Sequence, residues 1–373
     1  MINSKRQSNF ELLRIVAMMM IVGHHYVVHG VQERYIADEA LKIWGGGTLK
    51  NKVFSCLYAP GGVVGVTLFF MISGYFLIQR EPTFKHIFKL TLECWYYGLF
   101  CVVCYFVLFF LGQDLSALSV KSMILENLRA LVLPASGGTW WFTTAYIFLL
   151  ILLPVLNPFL LKLNRRGFVL FLLFMWFVCS ATELAAPFSS LQRAMFCYAI
   201  GAYVKLYISG KMSKKKYNVL YALAGWVSFS ALYYWYSSLA LQASTIRIDI
   251  ILHLLDGFMV FSLGPFIAAQ IFVLFSELHI GVVRWINILS ATTLGIYLLH
   301  DSSIGRLIFW EKLLHVADVQ YQSWLFPLWS MFSILIVFAI GSVLDLIRYC
   351  FLEPSAMKCM EKFFQKMKCQ FEV

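Results

Sequence analysis

The chain has 373 residues, of which 61% are hydrophobic and only 13% charged. Its mean hydropathy is +0.76, which excludes a soluble domain of this size and marks a polytopic membrane protein resting in a lipid bilayer. The net charge of +11 would suit a nucleic-acid binder. The positive residues gather in alternate loops instead, so topology accounts for most of the excess and no nucleic-acid partner is expected.

The first apolar segment, Glu11 to Gly30, reads ELLRIVAMMMIVGHHYVVHG. About 20 residues of helix cross a hydrocarbon layer of about 30 Å. It is too long, and lacks the small-residue cleavage pattern, for a removable signal. It also carries Arg14, His24, His25 and His29. Ionisable groups inside a span are costly and usually face a bundle interior or a wet cavity. Arg14 and His25 are eleven residues apart. At about 100° per residue that separation closes three turns plus about 20°, so both lie on one face, roughly 16 Å apart along the axis. His29 at i+4 from His25 and Glu11 at i−3 from Arg14 extend the same stripe, while His24 points about 100° away.

A mixed-charge segment, about 31 to 55, precedes a second span at about 60 to 79, which opens on Pro60-Gly61-Gly62 and ends SGYFLI. Arg80, Lys85 and Lys89 form the next loop, and the third span, about 90 to 112, contains Glu93. The connection at about 113 to 138 reads as amphipathic and interfacial. It ends in SGGTWWF, where the fourth span begins, running to about 161. Further spans are expected at about 167 to 184, 191 to 208, 217 to 238, 248 to 275, 285 to 304 and 324 to 348. A strongly basic loop, SGKMSKKKYN, separates the sixth from the seventh.

The pattern predicts an all-α protein of about ten transmembrane helices. Most of the 30 Lys and Arg fall in loops that this topology puts on one side. The positive-inside rule then places both termini in the cytoplasm and the protein in a plasma or inner membrane. The chain divides into a transmembrane region, 1–350, and a basic cytoplasmic tail, 351–373, expected to lie against anionic lipid. No second domain and no internal repeat is visible, and the missing repeat weighs against an inverted-repeat transporter.

Two polar groupings carry candidate chemistry. With Arg14 near the cytoplasmic face, His25 lies roughly two-thirds of the way across. A neutral imidazole there can take a proton from a hydroxyl and return it. Arg14 is permanently charged and suited to a phosphate arriving from the cytoplasm. That pairing fits a coenzyme A thioester. In the eighth span Asp249, His253 and Asp256 fall at i, i+4 and i+7, one helical face, just after Arg247. The stripe suits either a substrate cavity shared with His25 or a buried network holding helices together.

Glu93, Glu183, Arg193, His300 and Asp345 stand alone in or at the ends of spans, where a structural role is the default. Trp140, Trp141, Trp310 and Trp324 are expected in the interfacial aromatic belt. Gly74 and Gly201 are expected to let helices approach closely. Cys101 and Cys104 form a lone CxxC inside an apolar run without a histidine partner, so inert thiols are expected and no metal.

These segments resemble the integral-membrane acyltransferase 3 family of bacterial O-acyltransferases. NFELLRIVAMMMIVGHH resembles the family's opening, with an arginine eleven positions before a catalytic histidine, here Arg14 and His25. FFMISGYFLI resembles its second-span pattern at Ser73, Gly74 and Tyr75, with tyrosine where phenylalanine is common. GTWWFTTAYIFLLILLP resembles its Trp-Phe entry to a later span, at Trp141. RAMFCYAIGAYV resembles its arginine-led sixth span at Arg193, and LGIYLLH its Tyr-φ-φ-His segment at Tyr297 and His300. FLEP matches a terminal Glu-Pro, Glu353 and Pro354.

The resemblance covers nearly the whole chain. It implies transfer of an acyl group, most often acetyl, from cytoplasmic acetyl-CoA to a hydroxyl of a cell-envelope glycan. His25 would be the base or a transient acyl carrier, and Arg14 would hold the donor. Ser73, Trp141, Arg193, Tyr297 and His300 would join Asp249, His253 and Asp256 in binding substrates. Some members continue into an extracytoplasmic esterase-like domain, which is not expected here. The acceptor would then be handled by the membrane region or by a separate envelope-glycan biosynthesis protein. The rival classes are a secondary transporter or lipid-linked glycan flippase, and a membrane sensor of envelope fragments.

Overall fold

The computed structural model describes residues 7–32, 41–80, 84–115, 118, 140–182, 189–208, 215–242 and 245–371. Glu183, the basic stretch 209–214 and most of the amphipathic connection before Trp140 lie outside the described residues. Among those described, every regular element is helical. Among the described residues, six helical stretches are long and apolar enough to cross a membrane: 8–32, 49–77, 84–110, 141–162, 246–276 and 326–362. The chain is an all-α, multi-pass membrane protein.

Helix α1 (Ser8–Val27) runs unbroken through the Arg14–His25 stripe and closes in a wider π turn at Val28–Gln32. Two short helices, α2 (Lys42–Gly46) and α3 (Leu49–Cys56), lead into α4 (Ala59–Leu77). Then come α5 (Phe84–Phe110), α6 (Trp141–Lys162), α7 (Arg165–Thr182), α8 (Ser189–Tyr203) and α9 (Lys215–Ala240). The eighth expected span is α10 (Ile246–Phe258) and α11 (Gly264–Ser276), joined by a π turn ahead of Pro265, which has no N–H to donate.

The ninth expected span is not one helix. It is α12 (Arg284–Ser290), a turn, α13 (Thr293–His300), a second turn at Asp301 and Ser302, and the short α14 (Ser303–Arg306). The reason is local. Thr292 donates its hydroxyl to the Leu289 carbonyl and Thr293 to that of Ser290, and Ser302 accepts from the Gly305 N–H. Such side chains offer the backbone an alternative to helical bonds. Irregular backbone at membrane depth survives only when buried in protein, and Ser290, Thr292, Asp301 and Ser302 are all buried. Helix α15 (Phe326–Ile347) then passes through a π turn into α16 (Glu353–Phe371).

Helix α4 is the hub, packed between α1 and α8. Its contact with α8 is as close as the two glycines suggest. A β-carbon on Gly74 would strike the Tyr198 carbonyl oxygen, and one on Gly201 that of Met71. The amino end of α1 is pinned by side chains: Ser8 donates to Asn287 and accepts from the Val283 N–H, and Asn9 donates to the Phe275 carbonyl. The expected aromatic belt holds only in part. Trp324 is exposed, but Trp140 and Trp310 are buried in the core, where Trp310 packs edge-on to Tyr26.

The end of the bundle nearest the amino terminus of α1, called the inner end below, is tied by ions. Arg348 reaches Asp345 at 2.6 Å, Glu353 at 2.9 Å and Glu93 at 3.1 Å. Tyr97 adds a hydrogen bond to Asp345 at 2.8 Å. Glu93 and Asp345 are therefore structural members of one network. Its reach extends to the tail: Glu353 pairs with Lys89 and Glu361 with Lys85, so two acids of the basic tail face α5.

Candidate active site

The stripe on α1 connects two places in the structure. Toward its outer end, His24 and His25 part company as the helical twist requires. His24 lies over Gly62, where any β-carbon would collide with the ring, and its Nδ1 sits 2.9 Å from the Ala59 carbonyl oxygen. It is a packing histidine between α1 and α4. His25 turns the other way and places Nδ1 2.8 Å from Nε2 of His300 on α13.

The protons of this pair follow from its neighbours. Nδ1 of His300 lies 2.6 Å from the Ile296 carbonyl oxygen. A carbonyl only accepts, so that nitrogen carries the hydrogen. Neutral His300 then presents a lone pair at Nε2, and Nδ1 of His25 must donate to it. Neutral His25 is left with its lone pair on Nε2. A base held in one tautomer by a partner on its other nitrogen is the arrangement proton abstraction needs.

One acid sits beside the pair. Asp301, 2% exposed, places Oδ1 3.6 Å from Nδ1 of His25 and 3.3 Å from Nε2 of His29. Arg306 grips the same oxygen through Nη2 at 2.7 Å and Nε at 3.1 Å. The Arg306–Asp301 ion pair has no net charge, so a proton taken up by His25 meets a nearby carboxylate at no long-range cost. His25, His29 and Asp301 hold ligand-type atoms within 4.8 Å of one another. Arg306 already neutralises the one anion there, which opposes a divalent cation at that point. Trp310 closes the cluster from one side, its ring 6.3 Å from that of His300.

Toward the inner end, Arg14 faces a cavity of about 520 Å³, within the size range of small-molecule sites. Gln7, Arg14, Arg80, His86 and Lys89 supply its basic and polar wall, Glu11 its one acid, and Ser73 and Tyr146 part of the remainder. Arg14 lies 3.4 Å from Glu11, which is itself held by the Ser290 hydroxyl. Ser73 donates to the Tyr146 hydroxyl at 3.2 Å. His25 is not among the lining residues. Between cavity and histidines stands a column of rings. Phe142 stacks on Tyr146, meets Phe70 at 5.0 Å and Tyr297 edge-on at 5.7 Å, and Tyr297 meets His300 at 6.4 Å.

The other expected site residues divide. Trp141 carries the Arg193 guanidinium over its ring at 5.3 Å, and Asp256 is within electrostatic reach of Arg193 and His253. This grouping adjoins the ring column through Phe142. Asp249 and His253 are exposed and Asp256 half-buried; none lines the cavity below Arg14. The structure adds four residues the sequence reading did not single out for a site: Asp301 and Arg306 in the outer cluster, Arg80 and His86 in the inner wall. Lys89, read from sequence only as a loop cation, also lines that wall. Asp301 directly follows His300 in the sequence, a neighbourhood that gains meaning only once α13 ends between them.

A half-buried His25 paired with the buried His300, above a cation-lined cavity inside an all-α membrane bundle, suits a membrane enzyme of group transfer. The family model described as an acyltransferase domain, acyltransferase 3, matches residues 7–346. The chain belongs to that family and is a membrane acyltransferase. No curated protein and no solved structure matches it.

Proposed function

We propose that the protein moves an acyl group, acetyl, from cytoplasmic acetyl-CoA to a hydroxyl of a cell-envelope or exported glycan. In this reading about ten helices cross a plasma or inner membrane, with both termini in the cytoplasm. The observation that carries it is the shared face of α1: a cation in an inner cavity and a tautomer-fixed imidazole about 16 Å farther along the same helix.

The donor's phosphates suit the wall of Arg14, Arg80, His86 and Lys89, where anions gain charge-assisted hydrogen bonds. Ile72, Leu77 and Leu150 offer the arm an apolar path. The acceptor oxygen gives its proton to Nε2 of His25 and attacks the thioester carbonyl carbon. The tetrahedral intermediate expels the thiolate, which recovers the proton from the imidazolium. Asp301 sits where it offsets that transient cation. Trp141, Arg193, Asp256 and His253 form the outer surface on which a sugar would rest, by ring stacking and by hydrogen bonds to hydroxyls.

The test uses purified protein, radiolabelled acetyl-CoA and envelope glycan from the producing cells. Base-labile label on the glycan with wild-type protein, and none with folded His25→Gln, is the expected result. Label transfer by the variant at the wild-type rate would overturn the assignment of the base. Glycan movement across vesicles without label transfer would overturn the reaction.

A further inference from the structure

The outer cluster contains one polar group that the mechanism above leaves unused. Tyr297 is 4% exposed, yet its hydroxyl makes no hydrogen bond of ordinary length and angle among the described residues. An unmade buried hydrogen bond costs on the order of 1–3 kcal/mol, so such groups are rare and call for a reason.

The surroundings of this hydroxyl are specific. Tyr297 lies one helical turn before His300 on α13, and the two rings meet edge-on. The Asp301 carboxylate lies within loose hydrogen-bonding reach of the hydroxyl, Arg306 is within electrostatic reach, and the backbone amide of Phe142 faces the phenol oxygen. Phe142 is in the first turn of the 22-residue helix α6. The first N–H groups of a helix have no partner within it and carry the positive end of its dipole. The Phe142 ring is also the link between the inner cavity and the histidines. The hydroxyl and the helix terminus thus converge where an acyl group passing from cavity to base would be.

We propose that Tyr297 is a catalytic residue: its hydroxyl, backed by the amino end of α6, donates to the acyl carbonyl oxygen as that oxygen becomes anionic. The inference rests on acyl transfer with His25 as base. As the acceptor oxygen bonds to the carbonyl carbon, the C=O π pair moves onto oxygen, and the Tyr297 O–H points a hydrogen at it. The pair returns when the C–S bond breaks, and Tyr297 keeps its proton throughout. A donor aimed at charge that exists only in the transition state accelerates the step without tightening substrate binding.

Tyr297→Phe removes one oxygen atom and keeps the ring. In the full-length purified protein, with acetyl-CoA as donor and envelope glycan as acceptor, we expect kcat to fall about 10²–10³-fold. The KM for acetyl-CoA and the affinity for free CoA should stay within about twofold. Because the lost hydroxyl made no hydrogen bond of ordinary length and angle, the melting temperature should hold or rise. An unchanged kcat overturns the proposal. So does a loss confined to KM, or a lowered melting temperature, which would make the hydroxyl a structural one. His25→Gln, run beside it, separates the two claims. If that variant is inactive while Tyr297→Phe is fully active, only the oxyanion role fails. If His25→Gln is fully active, the base assignment fails on its own.

Discussion

The inner cavity and the outer histidine cluster sit on the same helix yet are built on opposite principles. The cavity is roomy and carries more basic than acidic side chains: Arg14, Arg80, His86 and Lys89 against Glu11. The cluster is more enclosed, and each charge or proton in it has a counterpart: Arg306 for Asp301, Ile296 for His300, His300 for His25. Unbalanced charge at a mouth attracts an anion from solution. Balanced charge in a mostly buried pocket fixes proton positions and stores little to be relaxed during reaction. In the proposed reading the difference separates binding from chemistry, and variants of the two regions should separate KM from kcat in the same way.

The sharpest break of that comparison is at the base. His25→Gln should reduce kcat about 10³-fold, in the range of a lost general base, with the KM for acetyl-CoA little changed. His300→Ala should follow at about 10²-fold in kcat, because His25 loses the partner that holds its tautomer. Initial rates over a range of donor concentrations check both. At the other end, Arg14→Ala should raise the acetyl-CoA KM about tenfold and leave kcat within about twofold. Free-CoA titration by calorimetry checks that, and unchanged affinity would remove Arg14 from the donor site. The smallest effect is expected one residue from the largest. His24→Asn keeps a donor near the Ala59 carbonyl and should retain activity within about threefold.

The stripe on α1 was legible because it lies within one helix, where periodicity alone fixes which residues share a face. The family patterns marked Tyr297 and His300 as site residues, but not what they do there. Their meaning is long-range: His300 meets His25 across 275 positions, and no local pattern encodes that. The same limit explains Asp249, His253 and Asp256. Their spacing reveals a common face of α10 but not what the face looks at, and in the structure two of the three are exposed. The ninth span was read as continuous because it is apolar on average. The interruption comes from Ser and Thr hydroxyls bonding locally, a signal weaker than hydropathy. Trp310 was placed in the belt by its type, whereas its position beside Tyr26 and His300 is set by the turn after Asp301.

Arg348 gathers carboxylates from three separate stretches of chain, Glu93, Asp345 and Glu353, and Glu353 in turn holds Lys89 at the cavity wall. The base of α5, the end of α15 and the start of α16 are thereby riveted into a single block. In the proposed reading, a nucleotide donor pressing past Lys89 would lean on a jamb that does not yield. The give needed for its entry would then fall to the opposite post, the first residues of α1 and the last turn of α4 around Gln7 and Arg80.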